Sequence, residues 1–184
     1  GKESEVCEAM GLGVVVLKFH RVGQQSFQSV RLKRSYMPET GHCPWLFASS
    51  NSARAEYTAL KTLHPAVSVP LPIDLNRHVV AMSFVPGVNL ARATLTEPET
   101  VLDEILTNVR EAYRLGIIHG DLSEFNVMVD EDQCWLIDWP QWVETSHPNA
   151  GDFLARDIEN ILQYFNRKYG LDYAFEEALA RVVE

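Results

Sequence analysis

The chain has 184 residues, 46% of them hydrophobic and 10% aromatic, and its 16 basic against 25 acidic side chains leave a formal net charge of -9. Such a composition fits one soluble globular domain or two small lobes sharing a core, and it excludes a disordered tail. No stretch nears the roughly 18 consecutive apolar residues of a membrane span, and no charged start followed by an apolar run marks a secretory signal.

The opening Gly1-Lys2-Glu3-Ser4 offers one glycine, backbone N–H groups and a hydroxyl, and reads either as a turn or as a cradle for an anion. Glu5 to Met10 alternates weakly, and Gly13 to His20 carries the run Val14-Val15-Val16-Leu17. Two adjacent antiparallel strands are predicted there. Residues 21 to 48 have no period and contain Gln24, Gln25, Ser26, Pro38, Gly41 and Pro44, which predicts a long, partly mobile connection. No acid lies between Glu8 and Glu39, whereas Lys18, Arg21, Arg31, Lys33 and Arg34 do. This basic patch is either solvated loop charge or a contact for phosphate, inside a chain whose overall acidity opposes wholesale nucleic-acid binding. Cys7, Cys43 and Cys134 are far apart, with no Cys-x-x-Cys pair, which predicts a reducing, cytoplasmic setting.

Ser49, Ser50, Asn51 and Ser52 offer N-caps for a helix through Ala53, Tyr57, Leu60 and Leu63, which Pro65 ends. Two short strands follow, Leu71 to Leu75 and His78 to Phe84, and the break at Pro86-Gly87 is the expected lobe boundary. Thr96-x-x-Glu99 reads as a capping box with Pro98 in the first turn, opening an amphipathic helix through Val101, Ile105, Val109 and Tyr113 to a cap at Gly116. A last long helix is expected over about Asp152 to Tyr169, capped at Gly170.

Residues 117 to 138, IIHGDLSEFNVMVDEDQCWLID, carry most of the chemistry. Strands at Asn126 to Val129 and Cys134 to Ile137 flank the acidic turn Asp130-Glu131-Asp132, so a hairpin fixes the separation of its ends and brings Asp121, Asn126 and Asp138 to one mouth. Three such oxygen donors suit phosphoryl transfer, in which Mg²⁺ prefers hard ligands and the protein mostly positions groups and offsets charge. Asp121 sits near the attacking oxygen in this reading, with Asn126 and Asp138 as metal ligands. Asp-x-x-x-x-Asn, with His119 two residues ahead and Ile-Asp after a hairpin, is similar to the protein-kinase catalytic loop and metal-binding Asp. Upstream, Lys18 at the end of its strand could reach phosphates and Glu56 could hold it as an ion pair, although a lone strand lysine is usually solvated charge.

On these residues the chain resembles the RIO family of atypical kinases, most closely archaeal members of its second subfamily. The resemblance covers essentially all of the chain: GKESEV for the phosphate loop, VVLKFHRVGQQSFQSVR for the strand lysine and flexible loop, ARAEYTAL for the helix with its Glu, MSFVPG for the hinge, HGDLSEFN for the catalytic loop, and IDWPQ then TSHPNA for the metal loop. It implies an α+β, two-lobed protein-kinase-like fold with a small β-rich N-lobe (1–85, flexible loop 20–48) and a reduced helical C-lobe (86–184), forming one kinase domain. It also implies ATP with Mg²⁺, or Mn²⁺ in its place, bound between the lobes against Gly1, Lys2, Glu3, Ser4 and the hinge residues Met82, Ser83 and Val85. Adenine would lie between Val6 and Ile137, with Lys18 on the phosphates and Glu56 holding it. Asp121 is the implied acid or base, Asn126 and Asp138 the metal ligands, and Asp138 a phosphate acceptor that forms an aspartyl-phosphate, so that ATP hydrolysis is the implied turnover. The implied partner is a small ribosomal subunit precursor, both rRNA and proteins; members of the subfamily also carry an N-terminal winged helix, none of which is present in these 184 residues.

The chain departs from the pattern at Ser83, where an acid is common, and at Trp139, where Phe usually follows the metal Asp. Gly120 stands where ordinary protein kinases have Arg, which removes a partner for a phosphorylated loop, and the short run from Trp139 to Ala150 leaves little room for a peptide-binding loop. Trp135, Trp139 and Trp142 read mainly as packing and His147 as a local hydrogen-bonding group. The rival readings are a small-molecule phosphotransferase of the aminoglycoside or choline kinase type, which shares HGDL and Ile-Asp-Trp, and an ATP-gated ribosome-assembly scaffold with little kinase activity.

Overall fold

The computed structural model describes residues 4–10, 13–21, 44–131 and 133–184. Strand β1 (Ser4–Met10) pairs antiparallel with β2 (Val14–His20), and β2 pairs in turn with β4 (Val79–Ser83), whose other edge carries β3 (Pro72–Asn76). Side chains alternate across a strand, so Lys18 and His20 share the face of β2 that meets helix α1 (Pro44–Leu63), and both are buried. Ala53, Ala59, Leu60 and Leu63 bury the inner face of α1. This sheet and helix form the first lobe.

The remaining chain is mostly helical. In chain order it comprises β5 (Val88–Asn89), α2 (Pro98–Arg114), β6 (Ile117–Ile118), β7 (Val127–Asp130), β8 (Gln133–Leu136), β9 (Val143–Glu144), α3 (Ala150–Tyr169) and α4 (Phe175–Val183). β5, β7 and β8 make a small antiparallel sheet, and β6 pairs with β9. Val101, Leu102, Ile105, Leu106 and Val109 of α2 interlock with Leu154, Ile158, Ile161 and Phe165 of α3 in one core. Each buried Leu or Ile contributes roughly 1.5–3 kcal/mol, well above any difference in helix propensity, so these stripes fix which faces turn inward. Ser68, in the connection after α1, ties the halves together: its N–H donates to Asn108 Oδ1 on α2 at 2.7 Å and its carbonyl accepts from Leu136 N–H at 2.9 Å.

Two helix starts differ from expectation. α1 begins at Pro44, so Ser49 to Ser52 lie within the helix instead of capping it, and Ser49 is fully buried. The expected capping box is displaced too: α2 starts at Pro98, its N-cap is Glu97 without a side-chain cap bond, and Thr96 falls one residue outside. A proline at the first helical position needs no N–H partner and already has a helical φ, which favours that start. Gly116 and Gly170 end their helices with φ of 84° and 69°, as anticipated. The hairpin strands are each shifted by one residue from the expected bounds, and Asp132 of its turn lies outside the described residues, as do residues 22–43 of the expected mobile connection. Among the described residues no helix is long and apolar enough to cross a membrane.

Gly87, at the break between the halves, has φ of 88°, and a Cβ there would lie 2.0 Å from the Val129 carbonyl oxygen. Gly87→Ala is therefore expected to lose at least about 2 kcal/mol of unfolding free energy, against about 1 kcal/mol for Gly170→Ala, which meets nothing within 4 Å. Paired urea titrations of the two variants check the order; equal losses would show that the backbone approach at Gly87 is not as tight as described.

Candidate active site

The site is built around one buried ammonium. Lys18 Nζ lies 2.7 Å from Glu56 Oε1 and 2.6 Å from Asp138 Oδ1. β2 supplies the lysine, α1 the glutamate, and the segment after β8 the aspartate, so residues 120 positions apart meet at one nitrogen. Burial alone would lower the Lys18 pKa, but the Glu56 and Asp138 carboxylates outweigh it and hold the ammonium above its ordinary value. Burial likewise pushes the Glu56 pKa up, yet the Lys18 charge, aided by His20, pulls it down to about 2. Glu56 also accepts the Trp139 N–H at 3.4 Å on the oxygen that Lys18 uses.

Asp138 has φ of 67°, a left-handed conformation that costs an L-residue roughly 1–2 kcal/mol and that Asp tolerates better than most. The neighbouring contacts hold it there. Trp139 is buried, donates Nε1–H to Leu136 O at 3.0 Å, and has the His119 ring 4.4 Å away. His119 Nε2 in turn sits 3.0 Å from Ile137 O, and burial drives the His119 pKa down to about 4, which keeps the imidazole neutral.

The loop 119–126 is held from several sides. Asn126 Nδ2 donates to Asp121 O at 2.8 Å, and the Ile137 N–H donates to Asn126 O at 2.9 Å, which brings the Asp121–Asn126 loop beside Asp138. From α3, Asp157 accepts the Gly120 and Leu122 N–H groups at 2.7 and 2.9 Å, Asn160 Nδ2 donates to Leu122 O at 3.0 Å, and Arg156 donates to Gly120 O. The peptides flanking Asp121 are thus gripped on both sides. Gly120 is required here: with φ of 79°, a Cβ would approach Gln141 O to 2.8 Å.

Of the residues singled out from sequence, Lys18, Glu56 and Asp138 are in direct contact, while Asp121, Asn126 and Ile137 are joined to them through the loop bonds above. Val6 is paired with Lys18 across β1 and β2, and Met82 with Val16 across β2 and β4, so both lie on the sheet face that carries the lysine. Ser83 spends its N–H on Leu71 O at 2.9 Å; Val85 follows β4, and Ser4 opens β1 opposite His20. Gly1, Lys2 and Glu3 lie outside the described residues, as do Arg31, Lys33 and Arg34. Trp142 packs with its Nε1–H on Ala55 O at 2.9 Å, and His147 makes only local contacts, its Nδ1 accepting the Asn149 N–H at 3.1 Å. Asp157 and His20 were not singled out from sequence. A carboxylate inside the apolar stripe Leu154, Ile158, Ile161 is the signal for the first; the two-residue step from Lys18 is the signal for the second.

The donor set fits a hard cation. Asn126 spends its amide N–H on the backbone and keeps its side-chain oxygen for a ligand, and the Asp138 side chain is 42% exposed. Among the described residues no group of three or more His, Cys, Asp or Glu could hold a metal by itself. Two oxygen donors suit Mg²⁺, which keeps several waters and shares phosphate oxygens.

A four-stranded antiparallel sheet with one helix, whose glutamate meets a strand lysine above an Asp-x-x-x-x-Asn loop, defines the two-lobed protein-kinase-like class. Within that class the chain belongs to the RIO domain family, which matches residues 5–178. It is 43% identical over 164 residues to the RIO-type serine/threonine-protein kinase Rio2 of Methanocaldococcus jannaschii, covering 85% of this chain and 60% of that protein. It is 36% identical over 182 residues to serine/threonine-protein kinase RIO2 of Caenorhabditis elegans, covering 96% of this chain and 34% of the relative. The crystal structure of the Rio2 kinase–ADP/Mg²⁺–phosphoaspartate complex from Chaetomium thermophilum aligns with a TM-score of 0.81 and 29% identity, over 99% of this chain and 59% of that one. The chain thus spans less than two thirds of the length of these relatives.

Asp157 provides a test of the loop geometry. Burial raises its pKa to about 6 despite the two amides and Arg156, so the folded chain holds a proton that the unfolded chain, with the ordinary value of 3.8, releases. Stability from this group therefore increases as pH falls from about 6 to 4 and is lost as pH rises. Between pH 7 and 4, wild type is expected to gain roughly 2 kcal/mol relative to Asp157→Asn in denaturant titrations. A constant gap across that range would contradict the buried placement.

Proposed function

We propose that the chain is an ATP-dependent phosphotransferase and ATPase of the RIO serine/threonine kinase type, with residues 1–85 and 86–184 as its two lobes. The observation that carries this reading is the Lys18 ammonium held between Glu56 and Asp138, beside a loop bearing Asp121 and Asn126. Lys18 is positioned to meet phosphate oxygens, and Glu56 to keep it from collapsing wholly onto Asp138. Ser4 and Val6 of β1, with Gly1, Lys2 and Glu3 ahead of them, are assigned to the phosphate and adenine roof. Met82, the Ser83 carbonyl and the Val85 N–H are assigned to the adenine edge, and Ile137 to its floor.

Asn126 and Asp138 are the residues that would hold magnesium, which when bound offsets the charge of the phosphates; manganese shares the oxygen preference and is expected to substitute. An Asp138 carboxylate oxygen attacks the γ-phosphorus, the bond to the β–γ bridging oxygen breaks, and ADP departs with that electron pair. Asp121 then takes a proton from water as the acyl phosphate is hydrolysed to inorganic phosphate and free Asp138. The resemblance of the chain to a kinase whose structure contains phosphoaspartate supports this route. Cytoplasmic action on a small ribosomal subunit precursor, through its rRNA and proteins, completes the reading, with Arg31, Lys33 and Arg34 as the basic contact to phosphate.

Two measurements test this. With Mg²⁺ and γ-labelled ATP, wild type is expected to carry an acid-stable, hydroxylamine-sensitive label on the peptide containing Asp138, and Asp138→Asn to lose the label and at least about 100-fold in turnover. Wild-type turnover in that variant would overturn the route. Neutralising Arg31, Lys33 and Arg34 together is expected to weaken cosedimentation with small-subunit precursors and flatten its salt dependence; an unchanged salt slope would remove these residues from the interface.

A further inference from the structure

The Lys18–Glu56 pair has a third member that the proposed reaction does not yet use. His20 is 3% exposed, and its Nε2 lies 2.6 Å from Glu56 Oε2, the oxygen opposite the one that takes Lys18 and the Trp139 N–H. The two atoms touch without hydrogen-bond geometry, and neither has a hydrogen-bond partner in the structure. A buried carboxylate left with one oxygen unmet loses its solvation without compensation, at about 1–3 kcal/mol. A carboxylate only accepts, so the facing imidazole nitrogen must carry the hydrogen. The backbone also fixes His20 in place: its N–H donates to His78 O at 2.8 Å, extending the strand ladder past the last β2–β4 register pair.

We infer that His20 is a positioning residue for phosphoryl transfer, acting through Glu56. The inference rests on the phosphotransferase reading of Lys18 given above. With the His20 ring against Oε2 and the Lys18 ammonium against Oε1, Glu56 has one orientation, which aims Oε1 at Lys18 Nζ. Without His20, the carboxylate can rotate about its last bond and Lys18 can shift toward Asp138, already 2.6 Å away. An ammonium drawn fully onto Asp138 is misplaced for the phosphates and masks the oxygen that attacks. The consequence falls on the chemical step more than on nucleotide binding. Supporting partners behind a metal ligand are worth roughly 10- to 100-fold in activity, and the same order applies here.

The test compares ATP turnover by wild type, His20→Ala, His20→Gln and Lys18→Met, with Gly170→Ala as a control for simple loss of stability. His20→Ala is expected to lower kcat about tenfold or more while KM for ATP stays within about threefold, and His20→Gln, whose amide N–H can reach Oε2, to recover most of kcat. The inference is overturned if His20→Ala keeps wild-type kcat, if its loss merely tracks the folded fraction as in Gly170→Ala, or if His20→Gln fails equally. Should His20→Ala not fold, nitrogen-15 NMR of the wild-type imidazole decides: a hydrogen on Nε2 is expected, and a bare Nε2 sinks the contact. If Lys18→Met retains full turnover, the phosphotransferase reading itself fails, an outcome distinguishable from failure of the His20 inference alone.

Discussion

One buried positive charge organises this molecule. An ammonium as enclosed as that of Lys18 is tolerated only when paired, because removing an unpaired ion from water costs several kcal/mol even after the surroundings relax. Its two partners come from different parts of the chain, Glu56 on the helix packed on the sheet and Asp138 beyond the hairpin of the helical half. The pairing therefore does more than offset charge. It fixes Asp138 against the strand lysine, and so sets how the two halves meet at this point.

The price of that placement is local backbone strain, and the surrounding residues are arranged to hold it. Asp138 adopts a left-handed conformation that is costly for an L-residue, whereas Gly120 takes its positive φ without that cost. Asp157 and Arg156 grip the Gly120 peptide from α3, while Trp139, His119 and Ile137 form a closed chain of contacts behind Asp138. Asp121 is exposed in front of this scaffold. Trp139 fits this picture, since its indole N–H makes a hydrogen bond to Leu136 O that a phenyl ring could not make.

Much of this was legible in the sequence, for identifiable reasons. Asp121, Asn126 and Asp138 stand at a spacing that points to one mouth, Lys18 and Glu56 follow only once that motif is read, and the apolar periods of α2 and α3 announce their buried faces. The start of α2 departs from the hydroxyl pattern because a proline at the first helical position outcompetes the nearby cap, leaving Thr96 one residue outside, and Ser49 is buried inside α1. Asp157 broke an apolar stripe and thus left a trace, but its partners are 35 and 37 residues away, and no local pattern names them. The role of His20 was hidden for the same reason: alternation places it beside Lys18, while its contact with Glu56 exists only once α1 has packed on the sheet.

The coupling between Lys18 and Glu56 tests the central claim most directly. In a double-mutant cycle on unfolding free energy, Lys18→Met and Glu56→Gln are each expected to lose about 3 kcal/mol, since the first leaves the buried Glu56 carboxylate without its ammonium and the second leaves Lys18 with only the partly exposed Asp138 carboxylate. The double variant is expected to lose about 2 kcal/mol less than the two losses combined. Strictly additive losses would mean that the two groups do not meet in the folded protein, and the site built around them would have to be given up.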